Sequence, residues 1–316
     1  FASDFAVIFL FNAGTPQPKT NPEYKYPTSC DIVNNLLQKA KSANTKTIQF
    51  CDESVLLDME RKRLIFNILK RELNADSKQF QVWFQPIYSI KEKRLVYMEA
   101  LSRLNGTELG DIPPFEFVQV AETRGLIETL GNVAFQKICK FISENKDVIK
   151  AVSINFSVNQ MSNPLIVDSV LQTIKKYNLE PSNIIMEITE SIFIDNYEIV
   201  YKNMKTLADA GILFYLDDFG TGYSNFANII NLPFSTIKMD RSLVLSMEES
   251  SKNINLFKNL VSTFKDAGLK VLVEGVETQN QNYLVTKAGA DYIQGYLYSR
   301  PVPANQCFEI MKNNRS

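Results

Sequence analysis

The chain of 316 residues contains no histidine. That absence removes the usual general base, the usual zinc ligand and every Ser–His or Cys–His nucleophile scheme. Cysteine is scarce as well: Cys30, Cys51, Cys139 and Cys307 lie far apart and none forms a CxxC pair. Scattered buried thiols in a reducing compartment are expected, rather than a zinc site or a disulfide framework. Surplus charge is missing, since 34 Lys and Arg against 35 Asp and Glu leave a net charge of -1. No basic field invites a nucleic-acid polymer, while a compact anionic ligand held by a few local residues stays open. Long apolar runs are missing too; the stretch from Phe5 to Phe11 is too short to cross a bilayer and reads as a strand. Acid–base or metal chemistry must therefore fall on carboxylates, Lys, Asn and water. Oxygen ligands favour a hard cation such as magnesium or manganese.

What is present is an ordinary soluble composition, 45% hydrophobic and 22% charged, long enough for one barrel or two domains. From about Gln81 onward, strand-like runs alternate with helix-like stretches. The strand candidates are Val82 to Ser89, Arg94 to Ser102, Ala151 to Ser157, Asn183 to Thr189, Ile212 to Asp217, Thr236 to Met239, Lys270 to Gly275 and Asp291 to Gln294. Helical periodicity marks Pro114 to Thr123, Leu126 to Glu144, Pro164 to Tyr177, Asn196 to Ala210, Ile254 to Ala267 and Gln279 to Ala288. Gly211, Gly268 and Gly289 each follow an Ala where a helix should end, as left-handed caps do. The alternation suits a (β/α)8 barrel, although a doubly wound open sheet would share much of it.

The polar residues favour the barrel. Asn155, Glu187, Asp217, Glu274 and Gln294 each end an apolar strand, Lys238 sits near the end of another, and Glu99 lies inside a seventh. In a barrel all strand C-termini open on one face, where active sites are built. A single such residue would be a helix N-cap by default, but so many in a chain without histidine are hard to explain as caps. Glu99, Asn155, Glu187 and Asp217 offer oxygen ligands from four strands. Asp218 follows Asp217 and is expected on the other side of the turn, so that the pair could serve two cations. Two-metal sites hold cations ~3.5–4 Å apart and clamp an in-line phosphoryl displacement. Carboxylates crowded this way repel one another unless cations neutralise them, so the site implies metal. Lys238 could orient the attacking water or offset charge on the phosphate, or it could simply pair with Asp240 or another carboxylate. Glu274 is a candidate base or second-metal ligand. The Gly-rich stretch from Gly220 to Gly222 reads as a mobile loop beside the second metal.

At these residues the chain resembles the EAL-domain cyclic di-GMP phosphodiesterases over about residues 80 to 310. The motifs stand in order as FQPI (Phe84 to Ile87), MEALSRL (Met98 to Leu104), SINFS (Ser153 to Ser157) and MEITES (Met186 to Ser191). They continue as LDDFGTGYS (Leu216 to Ser224), IKMD (Ile237 to Asp240), VEGVET (Val273 to Thr278) and IQGYLYSRP (Ile293 to Pro301). The resemblance implies a TIM-like barrel with an antiparallel first strand. It implies two magnesium or manganese ions per site, inhibition by calcium, and hydrolysis of cyclic di-GMP to linear pGpG in the cytoplasm, often by a homodimer. It assigns Glu99, Asn155, Glu187 and Asp217 to metal, with Asp218 serving the second ion. Glu274 matches the general base, Lys238 the lysine near the nucleophilic water, and Glu190 the anchor of the LDDFGTGYS loop. Gln85, Leu101, Arg103 and Gln294 match ligand-contacting positions, joined by Asp240 and Glu277. Asn225 stands where a second serine is common and Met239 where a branched aliphatic is, and no catalytic position is lost. A receptor that binds cyclic di-GMP without fast turnover is the competing reading, and members of that kind usually lack one or more of the acids.

Residues 1 to 55 resemble the end of a GGDEF diguanylate-cyclase domain, a partial α+β unit. Phe1-Ala2-Ser3-Asp4-Phe5 occupies the signature, without its two glycines and with Ser3 in place of an acid. No cyclase activity is expected, because the glycines admit the nucleotide phosphates and the acid helps hold metal; GTP is the ligand such a segment would bind as a regulator. Residues 56 to 78 read as an amphipathic linker helix and 79 to 316 as the barrel. The chain begins at Phe1 rather than Met, as a fragment does, and a preceding sensory or membrane-anchoring segment is compatible with it.

Overall fold

The structure, a computed structural model, describes residues 53–74, 76–189, 197–221 and 231–314. The cyclase-like segment up to residue 52, Glu190, and the loop from Gly222 to Asn225 lie outside the described residues. Among the described residues no helix is long and apolar enough to cross a membrane.

Eight strands close a barrel: β1 (Phe80–Ser89), β2 (Arg94–Thr107), β4 (Val152–Asn155), β5 (Ile184–Thr189), β6 (Leu213–Phe219), β7 (Phe234–Met239), β8 (Lys270–Val273) and β9 (Tyr292–Ile293). Two short strands, β3 (Gly110–Ile112) and β10 (Val302–Pro303), extend it at β2 and β1. Strand β1 is antiparallel to both neighbours, with Gln85 opposite Glu99 on β2 and Tyr88 opposite Ile293 on β9. The remaining barrel pairs from β2 round to β9 are parallel. This is the expected TIM-like barrel with a reversed first strand. Parallel strands covered on both faces need apolar side chains on both, which is why β5 reads Ile-Ile-Met-Glu-Ile-Thr with its first five residues buried.

Outside the strands lie helices α1 (Glu53–Glu72), α2 (Pro114–Thr123), α3 (Ile127–Glu144), α4 (Val158–Met161), α5 (Ile166–Lys176), α6 (Tyr197–Asp209), α7 (Arg241–Met247), α8 (Ser251–Asp266), α9 (Gln279–Ala288) and α10 (Ala304–Asn313). Each turns one apolar stripe inward; α3 buries Leu130, Ala134, Phe135, Ile138, Cys139 and Ile142. Gly289 ends α9 at φ 92, a left-handed cap that costs a glycine nothing. The helix expected at residues 56 to 78 runs Glu53–Glu72 and buries Ile65, Ile68 and Leu69 with Phe80, Leu104 and Phe117. Arg61 fastens it to α2 through Glu116 at 2.6 Å. Cys139 and Cys307 are free, buried thiols, and burial pushes both up to about 12.

A second core fills the lumen: Ile87, Tyr97, Ile185, Tyr215 and Leu272, with Tyr292 against them. In a strand, residues two apart share a face. Two positions beyond Tyr97, Ile185, Tyr215, Leu272 and Tyr292 stand Glu99, Glu187, Asp217, Glu274 and Gln294. The apolar and aromatic layer is thus the floor on which the polar layer is built.

Candidate active site

At the C-terminal mouth of the barrel, Lys238 from β7 is 1% exposed and lies among four carboxylates. Its Nζ is 2.7 Å from Glu187 Oε2, 2.9 Å from Asp217 Oδ1, 2.6 Å from Glu274 Oε1 and 3.8 Å from Glu99 Oε1. An ammonium has three donors, and the three short contacts use them. Lys238 pairs with carboxylates, as one reading of the sequence expects, but Asp240 is not the partner. Asp240 caps α7 by accepting from Ser242 N at 2.8 Å.

Amides complete the layer. Asn155 Nδ2 donates to Glu99 Oε1 at 2.9 Å, and Gln294 Nε2 donates to Glu99 Oε2 at 2.6 Å and Gln85 Oε1 at 3.0 Å. Gln85 Nε2 in turn donates to the carbonyl of Ser299 at 3.0 Å, fixing β1 to the last loop. Gln85, Glu99, Leu101, Asp217, Asp218, Lys238, Glu274, Glu277 and Gln294 share the wall of one cavity of about 340 Å3. Arg103 and Asn155 face an adjoining cavity of about 480 Å3 that meets the first at Leu101. Arg103 is half-buried with its guanidinium 5.7 Å from the Trp83 ring, and burial holds it below its ordinary value.

The pair Asp217–Asp218 departs from regular strand geometry. Strand alternation would send Asp218 away from its neighbour, but Asp218 adopts φ 56 and the β6–β7 register breaks between Leu216 and Phe219. Left-handed backbone at a non-glycine residue is costly and concentrates at functional sites. Here it brings carboxylate oxygens of Asp217, Asp218 and Glu274 within 4.8 Å of one another.

Crowding and burial change the proton affinities. Burial pushes Glu274 up from 4.5 to about 8; Lys238 opposes the rise, while Asp217 and Glu99 add to it. Burial likewise holds Glu187 well above the carboxylate range against the pull of Lys238, and raises Asp218 with help from Asp217. The Lys238 ammonium is held well above its usual value; burial opposes its charge, but Asp217, Glu187, Glu274 and Glu99 outweigh it. Four acids therefore surround one lysine, with Asp218 beside them.

The site fits divalent cations on its own features. Glu187 Oε1 is fully buried with no hydrogen-bond partner, in a residue whose other oxygen binds Lys238. A buried carboxylate oxygen left unpaired is expensive unless something positive binds it. The donor set is all oxygen, as magnesium and manganese require.

The EAL domain family model matches residues 67–301. The chain belongs to the EAL domain family. It is 28% identical over 295 residues to the cyclic di-GMP phosphodiesterase PdeR of Escherichia coli strain K12, covering 88% of this chain and 44% of that protein. It is 29% identical over 230 residues to the cyclic di-GMP phosphodiesterase RocR of Pseudomonas aeruginosa, covering 72% of this chain and 59% of RocR. The EAL chain thus spans less than two thirds of either relative's length. The solved PaMucR phosphodiesterase in complex with c-di-GMP superposes with a TM-score of 0.72 at 30% identity, covering 77% of this chain and 99% of that one.

Besides Gly275 and Gly295, two wall residues were not among the expected site residues. Arg241, first in α7, and Tyr296, after Gln294-Gly295, both line the carboxylate cavity and both are exposed. The signal available for Arg241 was its place two residues after the strand-ending Met239, where a barrel's catalytic loops begin.

Proposed function

We propose that this EAL barrel hydrolyses cyclic di-GMP to linear pGpG with magnesium or manganese held by its carboxylates. The observation that carries the reading is the unpaired, buried oxygen of Glu187 beside the Asp217–Asp218–Glu274 cluster. The names of PdeR and RocR, and the ligand in the PaMucR complex, supply the substrate class.

In this reading Glu99, Asn155, Glu187 and Asp217 hold one cation, and Asp218 the second. When bound, the two ions supply Lewis-acid activation of water and neutralise charge on the phosphate. Lys238 holds Glu187, Asp217 and Glu274 in fixed positions from beneath, and its charge persists throughout because four acids sustain it. Glu274 accepts the proton of the attacking water. The new O–P bond forms as the P–O3′ bond breaks; the 3′ oxygen takes a proton from solvent and leaves as a hydroxyl, and Glu274 returns its proton to solvent. Gln85, Leu101, Arg103, Glu277 and Gln294 line the ligand's path. Glu190 retains its role as loop anchor by resemblance alone, and the Asp240 carboxylate is engaged at the start of α7.

The test is chromatography of cyclic di-GMP incubated with the purified chain and magnesium, manganese or calcium. Linear pGpG is expected with magnesium or manganese and not with calcium. Tight binding without product in every metal would make the chain a receptor and overturn the hydrolytic assignment.

A further inference from the structure

The carboxylate cavity holds a second cation whose circumstances differ from those of Lys238. Lys238 is 1% exposed and surrounded by acids, so it presents no donor to a ligand. Arg241 is exposed and lines the same cavity. Its stem crosses Gly275, the residue after Glu274. A Cβ on Gly275 would lie 2.4 Å from Arg241 Cγ and 2.5 Å from Arg241 Cβ, so glycine is what lets the side chain lie there. Glu277 then engages one edge of the guanidinium, with Nη1 3.0 Å from its Oε1. Asp240 fixes the root of the side chain by capping α7. A guanidinium has five donors in a plane, so one carboxylate contact leaves several for an anionic oxygen.

We infer that Arg241, seated on Gly275 and steered by Glu277, binds the phosphodiester of the ligand that is not being cleaved. This rests on the proposed cyclic dinucleotide. Such a ligand carries two phosphodiesters. The one undergoing attack lies at the Asp217–Asp218–Glu274 cluster. The other needs a cation outside that cluster; Arg103 stands in the adjoining cavity, so within the carboxylate-rich cavity itself the exposed cation is Arg241. Arg241 supplies that charge within the same cavity. A mere ion pair between α7 and the loop after β8, half exposed as this one is, would contribute little to stability and nothing to substrate affinity.

The experiment compares wild type with Arg241→Gln and Arg241→Lys on two substrates, cyclic di-GMP and bis(p-nitrophenyl) phosphate, in manganese. The second substrate has one diester and no remote phosphate. For Arg241→Gln, KM for cyclic di-GMP should rise about 10- to 100-fold with kcat within about threefold, as loss of charged hydrogen bonds does. Hydrolysis of bis(p-nitrophenyl) phosphate should be unchanged, and Arg241→Lys should recover part of the loss. An unchanged KM, or an equal fall in both hydrolyses, would overturn the assignment. Should wild type bind cyclic di-GMP without turnover, the phosphodiesterase reading fails by itself. Calorimetric Kd values for wild type and Arg241→Gln then decide: a similar rise upholds Arg241 as the anion site, and equal Kd values, or no binding by wild type, overturn it.

Discussion

Without metal, raising the pH should melt this barrel at lower temperature, the opposite of a protein stabilised by ordinary ion-paired carboxylates. Glu274 is displaced upward from 4.5 to about 8, chiefly by burial. Between those values the folded chain binds more protons than the unfolded chain, so stability is fully present below about 4.5 and is lost as pH rises through about 8. Glu187 and Asp218 are raised as well and add with the same sign. Lys238, held above 10.5, loses its contribution only above that value and leaves the window between pH ~5 and ~9 unaffected. For Glu274 the displacement corresponds to at most about 5 kcal/mol, the side chain being mostly buried. In a domain of this size ~1 kcal/mol moves Tm by ~2–4 °C, so a fall of about 10 °C is expected across the window.

The assay is differential scanning fluorimetry from pH ~5 to ~9, in chelator and in saturating magnesium or manganese. The metals replace the protons on the acids, so the slope should flatten and Tm should rise most at high pH. A cation at 100 times its Kd adds ~2.7 kcal/mol by mass action alone. A flat or rising Tm in chelator, or the same slope with and without metal, would refute both the electrostatic account of the cluster and its metal-binding role.

Three substitutions probe single elements of the site. Glu274→Gln keeps an acceptor for Lys238 while removing the base; kcat should fall ~10²- to 10⁴-fold in steady-state assays with cyclic di-GMP affinity little changed, and retained turnover would remove the assignment. Asp218→Asn suits the left-handed backbone at φ 56, so Tm in chelator should not fall, while isothermal titration should show cation affinity at least about tenfold weaker. Gly295→Ala would place a Cβ 2.0 Å from the carbonyl oxygen of Val276, which accepts from Leu297 N and has little room to retreat; a loss of ~3 kcal/mol or more is expected in denaturant unfolding.

Much of this arrangement was legible because a barrel strand places period-two side chains on one face and ends them at one mouth. The expected strand ending Asn183 to Thr189 fixed Glu187 in the lumen, and the same rule applied two residues earlier yields the floor of Ile185, Tyr97, Tyr215 and Leu272. What period-two reasoning could not supply was any departure from it. Asp218 was expected across the turn from Asp217 as a partner in cation binding, but alternation gives no means of foreseeing the positive φ that brings the two carboxylates together. The strand expected to continue to Ser157 stops at Asn155, since Ser157 and Gln160 form a reciprocal capping box that starts α4. That Ser-x-x-Gln spacing was visible in the sequence, but its Ser157 was read as the last residue of the strand.

Lys238 shows a different limit. Its position was legible, yet its surroundings depend on three other strands, and a lone sequence offers no reason to prefer Glu187, Asp217 and Glu274 over Asp240 as partners. Burial decides between them. An ammonium that is 1% exposed cannot rely on water, so its donors must be met by groups projecting into the lumen. Asp240 lies beyond the end of β7 and is drawn to the amide of Ser242. The same argument extends to Arg241: being one residue past Asp240, it leaves the barrel wall, escapes the four acids below, and keeps its charge available at the rim. The division of labour between the two cations thus follows from three residues of chain, the distance between Lys238, the last lumen-facing position of β7, and Arg241, the first position of α7.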